Sequence, residues 1–273
     1  MKGLLPAWAL AWREVRRFSR QPLRIAVAVL TPAMVWLFLT SGFGGAIRPE
    51  ALGQGVESLA LYLLPGMASL VVLLNAVFAS ISLIEDRHEG FLQAVLVSPA
   101  PRWSVAVGKL LGGGLVGMAQ AAVLLCLSPV VGADPGAGGL GAAVLALACL
   151  SLGITGIGLA LAWWVDSTAG FHGVMNLLLM PAWLLSGAVF PVQGASGWLR
   201  AVAAYNPLSW CHQAVGSALI GRLDVPALTL SGLFAAGGVA ACVGVLALRG
   251  ARRPIGPGGD ARAASAGPTQ QDG

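Results

Sequence analysis

The sequence predicts an all-α polytopic membrane protein: six transmembrane helices, an N-terminal amphipathic interfacial helix, and re-entrant helices between spans 5 and 6. Three observations predict it. Hydrophobic residues make up 57% of the 273 residues and charged residues only 10%, with a mean hydropathy of +0.81; a soluble domain carries about 25% charged residues. Every Asp, Glu, Lys and Arg falls outside six apolar stretches: Ile25–Ile47, Leu59–Ile84, Leu110–Gly132, Leu140–Val165, Gly173–Val192 and Val225–Leu248. Each is as long as the roughly 20 residues a helix needs to cross about 30 Å of hydrocarbon. Backbone amides in lipid must be satisfied within their own segment, so such stretches are read as helices. The chain then divides into a cytoplasmic N-terminal segment with its amphipathic helix (1–24), a six-helix domain (25–248) and a disordered cytoplasmic tail (249–273), rich in Gly, Ala, Pro and Ser.

Ahead of the first span, Trp8, Trp12, Val15 and Phe18 recur at helical spacing, with Arg13, Arg16, Arg17 and Arg20 interleaved. Tryptophan beside arginine on an amphipathic helix describes a segment lying in the membrane interface. It serves either as a passive anchor to anionic lipid or as a lever joining a partner to the first span. Arg16-Arg17-Phe18-Ser19-Arg20 superficially resembles an export signal, but the apolar span behind it is too long.

After the second span comes Glu85-Asp86-Arg87-His88-Glu89-Gly90, running into Phe91, Leu92, Val95 and Leu96, which are spaced as one face of a short helix. Ser98-Pro99 and Pro101 stop it. Such a helix can dock in a groove of a soluble partner or lie in the interface. In the third and fourth spans, Gly113 and Gly117, then Gly153, Gly156 and Gly158, allow close helix approach, either within the chain or to a second copy. The fifth span is the shortest and holds Pro181. The segment from Leu185 to Leu208 is too apolar for an ordinary loop and too broken by Gly and Pro for a span, so it reads as short helices dipping back into the membrane.

Positive charge orients the chain. Lys2, Arg13, Arg16, Arg17, Arg20, Arg24, Arg87, Arg102, Lys109, Arg249, Arg252, Arg253 and Arg262 fall on one side, against Arg48, Arg200 and Arg222 on the other. That asymmetry places both termini in the cytoplasm and assigns the basic excess to topology rather than to nucleic acid. No acid or base lies within the six stretches, which argues against a proton relay through them. Their polar side chains, Asn75, Gln120 and Asn176, either bond between helices or line a substrate path. An enzyme reading fares worse than a transport one: His88, His172 and His212 are scattered, and no metal spacing, G-x-S-x-G or phosphate-cradling G-x-x-x-x-G-K-[ST] loop occurs, so the chain is not expected to hydrolyse ATP by itself. The four cysteines form no framework.

Two segments carry a resemblance. Arg87, Glu89, Gly90, Phe91, Leu92, Ser98, Pro99 and Gly108-Lys109, followed by Leu185, Ser186, Gly187, Phe190, Pro191, Trp198, Leu199, Asn206, Pro207 and Leu208, stand in the order found in ABC-2 type permeases. These are the membrane subunits of one class of ATP-binding cassette exporter, and the chain is similar to the daunorubicin-export and nodulation-factor-export branch. The resemblance implies an ATPase-coupling helix at Arg87, Glu89, Gly90, Phe91, Leu92, Val95 and Leu96. It implies a connecting helix at Trp8, Trp12, Arg13, Arg16 and Arg17, and outer re-entrant helices bearing Ser186, Gly187, Phe190, Pro191, Trp198, Asn206 and Pro207. It further implies a bacterial cytoplasmic-membrane location, a second permease chain (homo- or heterodimer) and two copies of a separate ATPase that binds ATP and Mg²⁺. No cofactor is expected on this chain. The substrate class expected is an amphiphilic or apolar drug, natural product or lipid-linked glycan. The rival reading is an ATP-independent secondary transporter or flippase.

Overall fold

The computed structural model describes residues 3–249, apart from 54, 98, 99 and 166. The predicted stop at Ser98-Pro99 and nearly all of the predicted tail lie outside these residues. Ten α-helices follow in order: α1 (Leu4–Ser19), α2 (Pro22–Phe43), α3 (Leu59–His88), α4 (Phe91–Val97), α5 (Arg102–Leu125), α6 (Gly136–Ala162), α7 (Thr168–Leu184), α8 (Gly197–Tyr205), α9 (Pro207–Leu219) and α10 (Val225–Arg249). No strand occurs among the described residues. Among the described residues five helices, α2, α3, α5, α6 and α10, are long and apolar enough to cross a membrane.

The ends of these helices follow local chemistry. Ser58 caps α3, its hydroxyl accepting from the Leu61 amide at 3.1 Å, and Asp224 caps α10 by accepting from the Ala227 amide at 3.0 Å. Pro22 opens α2 at its first turn, where a missing amide hydrogen has no consequence. The predicted fifth span, Gly173–Val192, is shifted and shortened: α7 is a 17-residue helix. Ser167 starts it early by accepting from the Gly170 amide, and Ser186-Gly187 ends it, Gly187 adopting φ +87°. Charge-bearing turns extend two other helices past their apolar runs. Thus α3 continues through Glu85, Asp86 and Arg87, and α5, starting at Arg102, includes Lys109.

Helix α3 is the axis of the bundle, with 78% of its apolar window buried, against 11% for α2. It packs on α2, α5, α6, α7 and α9. Between helices in lipid there is no hydrophobic drive, so close packing has to hold them. Small residues supply it. A methyl group on Gly117 would come within 2.8 Å of Asn75 and Ser151, and one on Gly112 within 2.6 Å of Glu14. Gly156 and Gly238 likewise bring α6 and α10 backbone to backbone. The glycine steps seen in the sequence are therefore occupied within the chain. Two apolar cores result: one around Leu63, Leu64, Met67, Leu147 and Leu219, the other around Leu83, Ile84, Leu92, Leu110, Phe171 and Met175.

Candidate functional site

Helix α1 crosses the end of α3 and the start of α5, and there three cations meet three carboxylates. Residues 7, 10, 11 and 14 form the inward stripe of α1, which seats Glu14 over Gly112. Arg13 reaches Asp86 with both guanidinium nitrogens at 3.0 Å and touches Glu14 at 3.0 Å. Arg17, one turn on, binds Asp86 and Glu85 at 2.8 Å each. Lys109 pairs with Glu14 at 2.9 Å and with Asp86 directly. Ser82 joins the two sides, donating to Glu14 at 3.0 Å and accepting from Lys109 at 3.1 Å.

Asp86 is 0% exposed, Lys109 2% and Glu14 9%. Charges this deep persist only when paired and hydrogen-bonded. The Asp86 hydrogen bond holds the Arg13 guanidinium above its ordinary value, against the opposing effect of burial. The cluster lies beyond the ends of the six apolar stretches. The six stretches are free of charge, but the helices that contain them carry an ionic cluster into the packed interior. Sequence reasoning used Lys109 for topology and in the Gly108-Lys109 step of the resemblance, and passed over Glu14. The available signal was an acid at the inward register position of an otherwise basic helix.

The short helix α4 hangs from this cluster. Gly90, at φ +77°, turns the chain between α3 and α4, a conformation that a side chain would strain. Glu89 caps α3, its amide donating to the Glu85 carbonyl at 2.9 Å. Phe91 lies under Arg13, whose guanidinium carbon sits 3.7 Å from the ring centre. Leu92 is 1% exposed and Val95 is half-buried in the same core, so the apolar face of α4 is seated on this chain. The side chain of Leu96 lies outside the described residues. Arg87 turns inward too, donating to the Trp163 and Val165 carbonyls at 3.0 and 2.7 Å.

On the outer side of α1, Trp8 and Trp12 are 61% and 49% exposed, and Arg16 and Arg20 are exposed. Trp8 and Trp12 line an apolar slot of about 400 Å³ with α5 and the start of α2. The three predicted pathway residues lie in separate places. Asn75 donates to the Gly113 carbonyl at 2.8 Å, a helix-to-helix bond; Gln120 is buried with neither amide atom partnered; Asn176 is exposed on α7.

At the far end, the motif residues build turns. Ser186 donates to the Trp183 carbonyl at 2.7 Å, and the Gly187 carbonyl accepts from the Tyr62 hydroxyl. Asn206 does two jobs: its Oδ1 caps α9 through the Leu208 amide at 3.0 Å, and its Nδ2 holds the Ala182 carbonyl at 2.6 Å. Pro207 takes the first turn of α9. Phe190 and Pro191 are half-buried, and Trp198 is 66% exposed. Behind Gly187 opens a cavity of about 370 Å³ lined by Tyr62, Ser186, His212 and Asp224. His212 meets Tyr62 edge-on, its Nδ1 is unpartnered, and burial pushes its imidazole down to about 4. No group of three or more His, Cys, Asp or Glu able to hold a metal occurs among the described residues.

Residues 7–220 match the family model described as ABC-2 type transporter. The chain is 27% identical over 208 residues to the "Daunorubicin resistance ABC transporter permease protein DrrB1" of Streptomyces coeruleorubidus, covering 76% of this chain and 71% of that one. It is 28% identical over 149 residues to the "Probable multidrug ABC transporter permease YbhR" of Escherichia coli K12, covering 54% of this chain and 40% of the relative. The matched span takes in the ionic cluster, α4 and the α7–α9 turns alike, and the chain belongs to the ABC-2 type transporter family.

Proposed function

We propose that this chain is the membrane-spanning subunit of an exporter that moves an amphiphilic or apolar substrate, using ATP hydrolysed on a separate ATPase that holds ATP and Mg²⁺. The observation that carries the reading is the junction at Arg13. One guanidinium binds the buried Asp86 of α3, touches Glu14 of α1 and covers Phe91 of α4. A push on α4 would therefore reach α1, α3 and α5 together rather than be lost in a loop. That is the requirement for a coupling helix. The drug-resistance and multidrug permeases among the relatives support the substrate class.

In this reading α7 completes a sixth span, both termini are cytoplasmic, and the membrane is a bacterial cytoplasmic membrane. Helix α1 is the connecting helix, the exposed Glu89 and Ala94 meet the ATPase, and α8 and α9 are the re-entrant helices. Two permeases and two ATPases form the working unit, and closure of the ATPases alternates it between inward-open and outward-open states. Asn75 is a packing residue, Gln120 is buried at the end of the slot beside α1, and Asn176, exposed on α7, is the polar group left to face a path.

Reconstitution with an ABC-type ATPase, sought in the reading frames adjacent to this one, tests the proposal, by substrate-stimulated ATP hydrolysis and by export. Charge reversal at the exposed Glu89 is expected to abolish co-purification with that ATPase. Transport that survives ATP depletion would instead establish an ATP-independent flippase.

A further inference from the structure

Helix α1 runs parallel to α5, and two glycines set how closely. A methyl group on Gly108 would meet the Ala7 carbonyl at 2.8 Å, and one on Gly112 the Ala11 carbonyl at 3.0 Å. The next glycines of α5 turn to other helices, Gly113 to Ala79 and Thr155, Gly117 to Asn75 and Ser151. Towards α1, α5 then offers Leu115, Val116 and Met118. With Trp12, Val15 and Phe18 of α1 these larger side chains enclose the apolar slot of about 400 Å³. Small-molecule sites measure roughly 300–1,000 Å³ and are lined by apolar and aromatic groups with a few polar ones. Trp12 and Leu115 are exposed, so the slot opens on the outside of the bundle.

The lining defines the chemistry. Trp8, Trp12 and Phe18 supply aromatic walls, and among the described residues no acid or base lines the slot. The arginines of α1 line a separate cleft that shares only Trp12 with it. Two polar side chains reach the slot, Ser19 and Gln120. The Ser19 hydroxyl is committed to the Arg16 carbonyl at 2.9 Å. Gln120 is 6% exposed, and neither its Oε1 nor its Nε2 has a partner among the described residues. Buried amides are hydrogen-bonded in the great majority of cases, because an unpaired one keeps its full desolvation cost. Asn75, on the neighbouring helix, obeys that rule through the Gly113 carbonyl. Gln120 holds its donors and its acceptor uncommitted at the wall of an aromatic slot.

We propose that this slot is a binding site for an uncharged, mainly aromatic molecule with one carbonyl group, its rings against Trp12 and Phe18 and its carbonyl accepting from Gln120 Nε2. The amide atoms are sealed from solvent, so the side chain turns to meet the carbonyl and gives up no existing bond in doing so. A charged ligand is disfavoured, since nothing in the lining offsets the loss of its hydration. The site goes beyond the transport reading and does not depend on which substrate is moved.

Photolabelling of the full chain in phosphatidylcholine nanodiscs tests it, with benzophenone as the probe, an aromatic ketone that crosslinks on illumination. Label is expected on α1 and α5 around Trp12 and Met118. Fluorenone is expected to compete about tenfold more strongly than fluorene, the same rings without the carbonyl, which is the effect of one hydrogen bond to a group with no other partner. In Gln120→Leu that preference should vanish while fluorene competes as before, which separates a lost hydrogen bond from a collapsed slot. Ala119→Trp, which fills the slot wall, is expected to weaken both competitors. Label spread evenly over the exposed apolar helices, equal competition by the two compounds on the native chain, or a preference that survives Gln120→Leu would each overturn the site.

Discussion

Replacing Asp86 by Asn removes the hub of the ionic cluster. In the native chain Asp86 takes two bonds from Arg13 at 3.0 Å, one from Arg17 at 2.8 Å and the direct contact with Lys109. Its loss leaves three cations facing only Glu14 and Glu85, with Lys109 2% exposed. Removing one partner of a buried pair costs about 3–5 kcal/mol, because the charge left behind has no water to return to. Asp86→Asn belongs near the upper end of that range. Lys109→Met belongs near about 3 kcal/mol, since Asp86 keeps both arginines and Glu14 keeps Arg13 and Ser82. The double variant restores charge balance and should lose less than the sum of the singles by about 1–2 kcal/mol. Unfolding of the purified chain in one detergent, followed by circular dichroism across a denaturant series, gives all three values. Raising the salt should leave the differences intact, since a buried pair is weakly screened. Losses below about 1 kcal/mol, additive and salt-sensitive, are what exposed ion pairs give. That result would refute the argument that the cluster is a buried joint.

Other outcomes follow from single features. Gln120→Leu removes an amide with no partner and should leave stability unchanged or raise it by about 1–2 kcal/mol; a clear fall in melting temperature would mean that a partner binds it. Gly117→Ala should cost about 1–3 kcal/mol, because the new methyl meets Asn75 and Ser151 at 2.8 Å across two helices, whereas Gly173→Ala, with open space around it, should be neutral by the same melt. His212 is held neutral in the fold with its pKa lowered from 6.5 to about 4. The unfolded chain therefore binds a proton that the folded chain refuses, and stability falls as pH drops from 6.5 towards 4, by up to about 1.4 kcal/mol per pH unit. His212→Phe should flatten the pH profile of unfolding in that window. Arg87→Ala should free the chain around Trp163–Val165, seen as faster proteolysis there with α4 still helical.

The sequence was most legible where composition alone decides. Apolar runs flanked by charge located α2, α3, α5, α6 and α10 to within a few residues or about two turns, because the energetic demand of lipid acts on every residue of a span. It was least legible where a helix outlives its hydropathy. The boundary at Ile84 was drawn where charge begins, yet the backbone hydrogen bonds continue through His88. The start of α7 was missed for a similar reason: Ser167, a cap, was invisible to a reading that weighed only apolar residues. Site residues divided in the same way. Gly187, Asn206 and Pro207 have backbone roles that their residue types announce, and the turns around them use those roles. Arg87, Phe91 and Leu92 were legible as a motif but not as to direction. Only the packing shows that they point into their own bundle.

That direction bears on how force could pass through the molecule. Helix α1 is joined to α2 by Arg20 and Gln21, but its buried stripe packs on α5, and its ionic partners are on α3 and α5. Covalent continuity and packing thus lead to different helices. Helix α2 is the least buried of the five long helices, and Arg24 near its start meets Phe78 of α3 through the ring face at 4.9 Å. Helix α2 packs Ala33, Val35, Trp36 and Leu39 on the first core, and the Trp36 indole donates to the Ala60 carbonyl at 2.9 Å, whereas α1, α3, α4 and α5 are fastened by one neutral cluster and the second apolar core and have to shift together. Interiors this closely packed move as blocks rather than deform continuously. In the transport reading, a push on α4 would therefore move α1, α3 and α5 as one block, with the chain passing to α2 through Arg20 and Gln21.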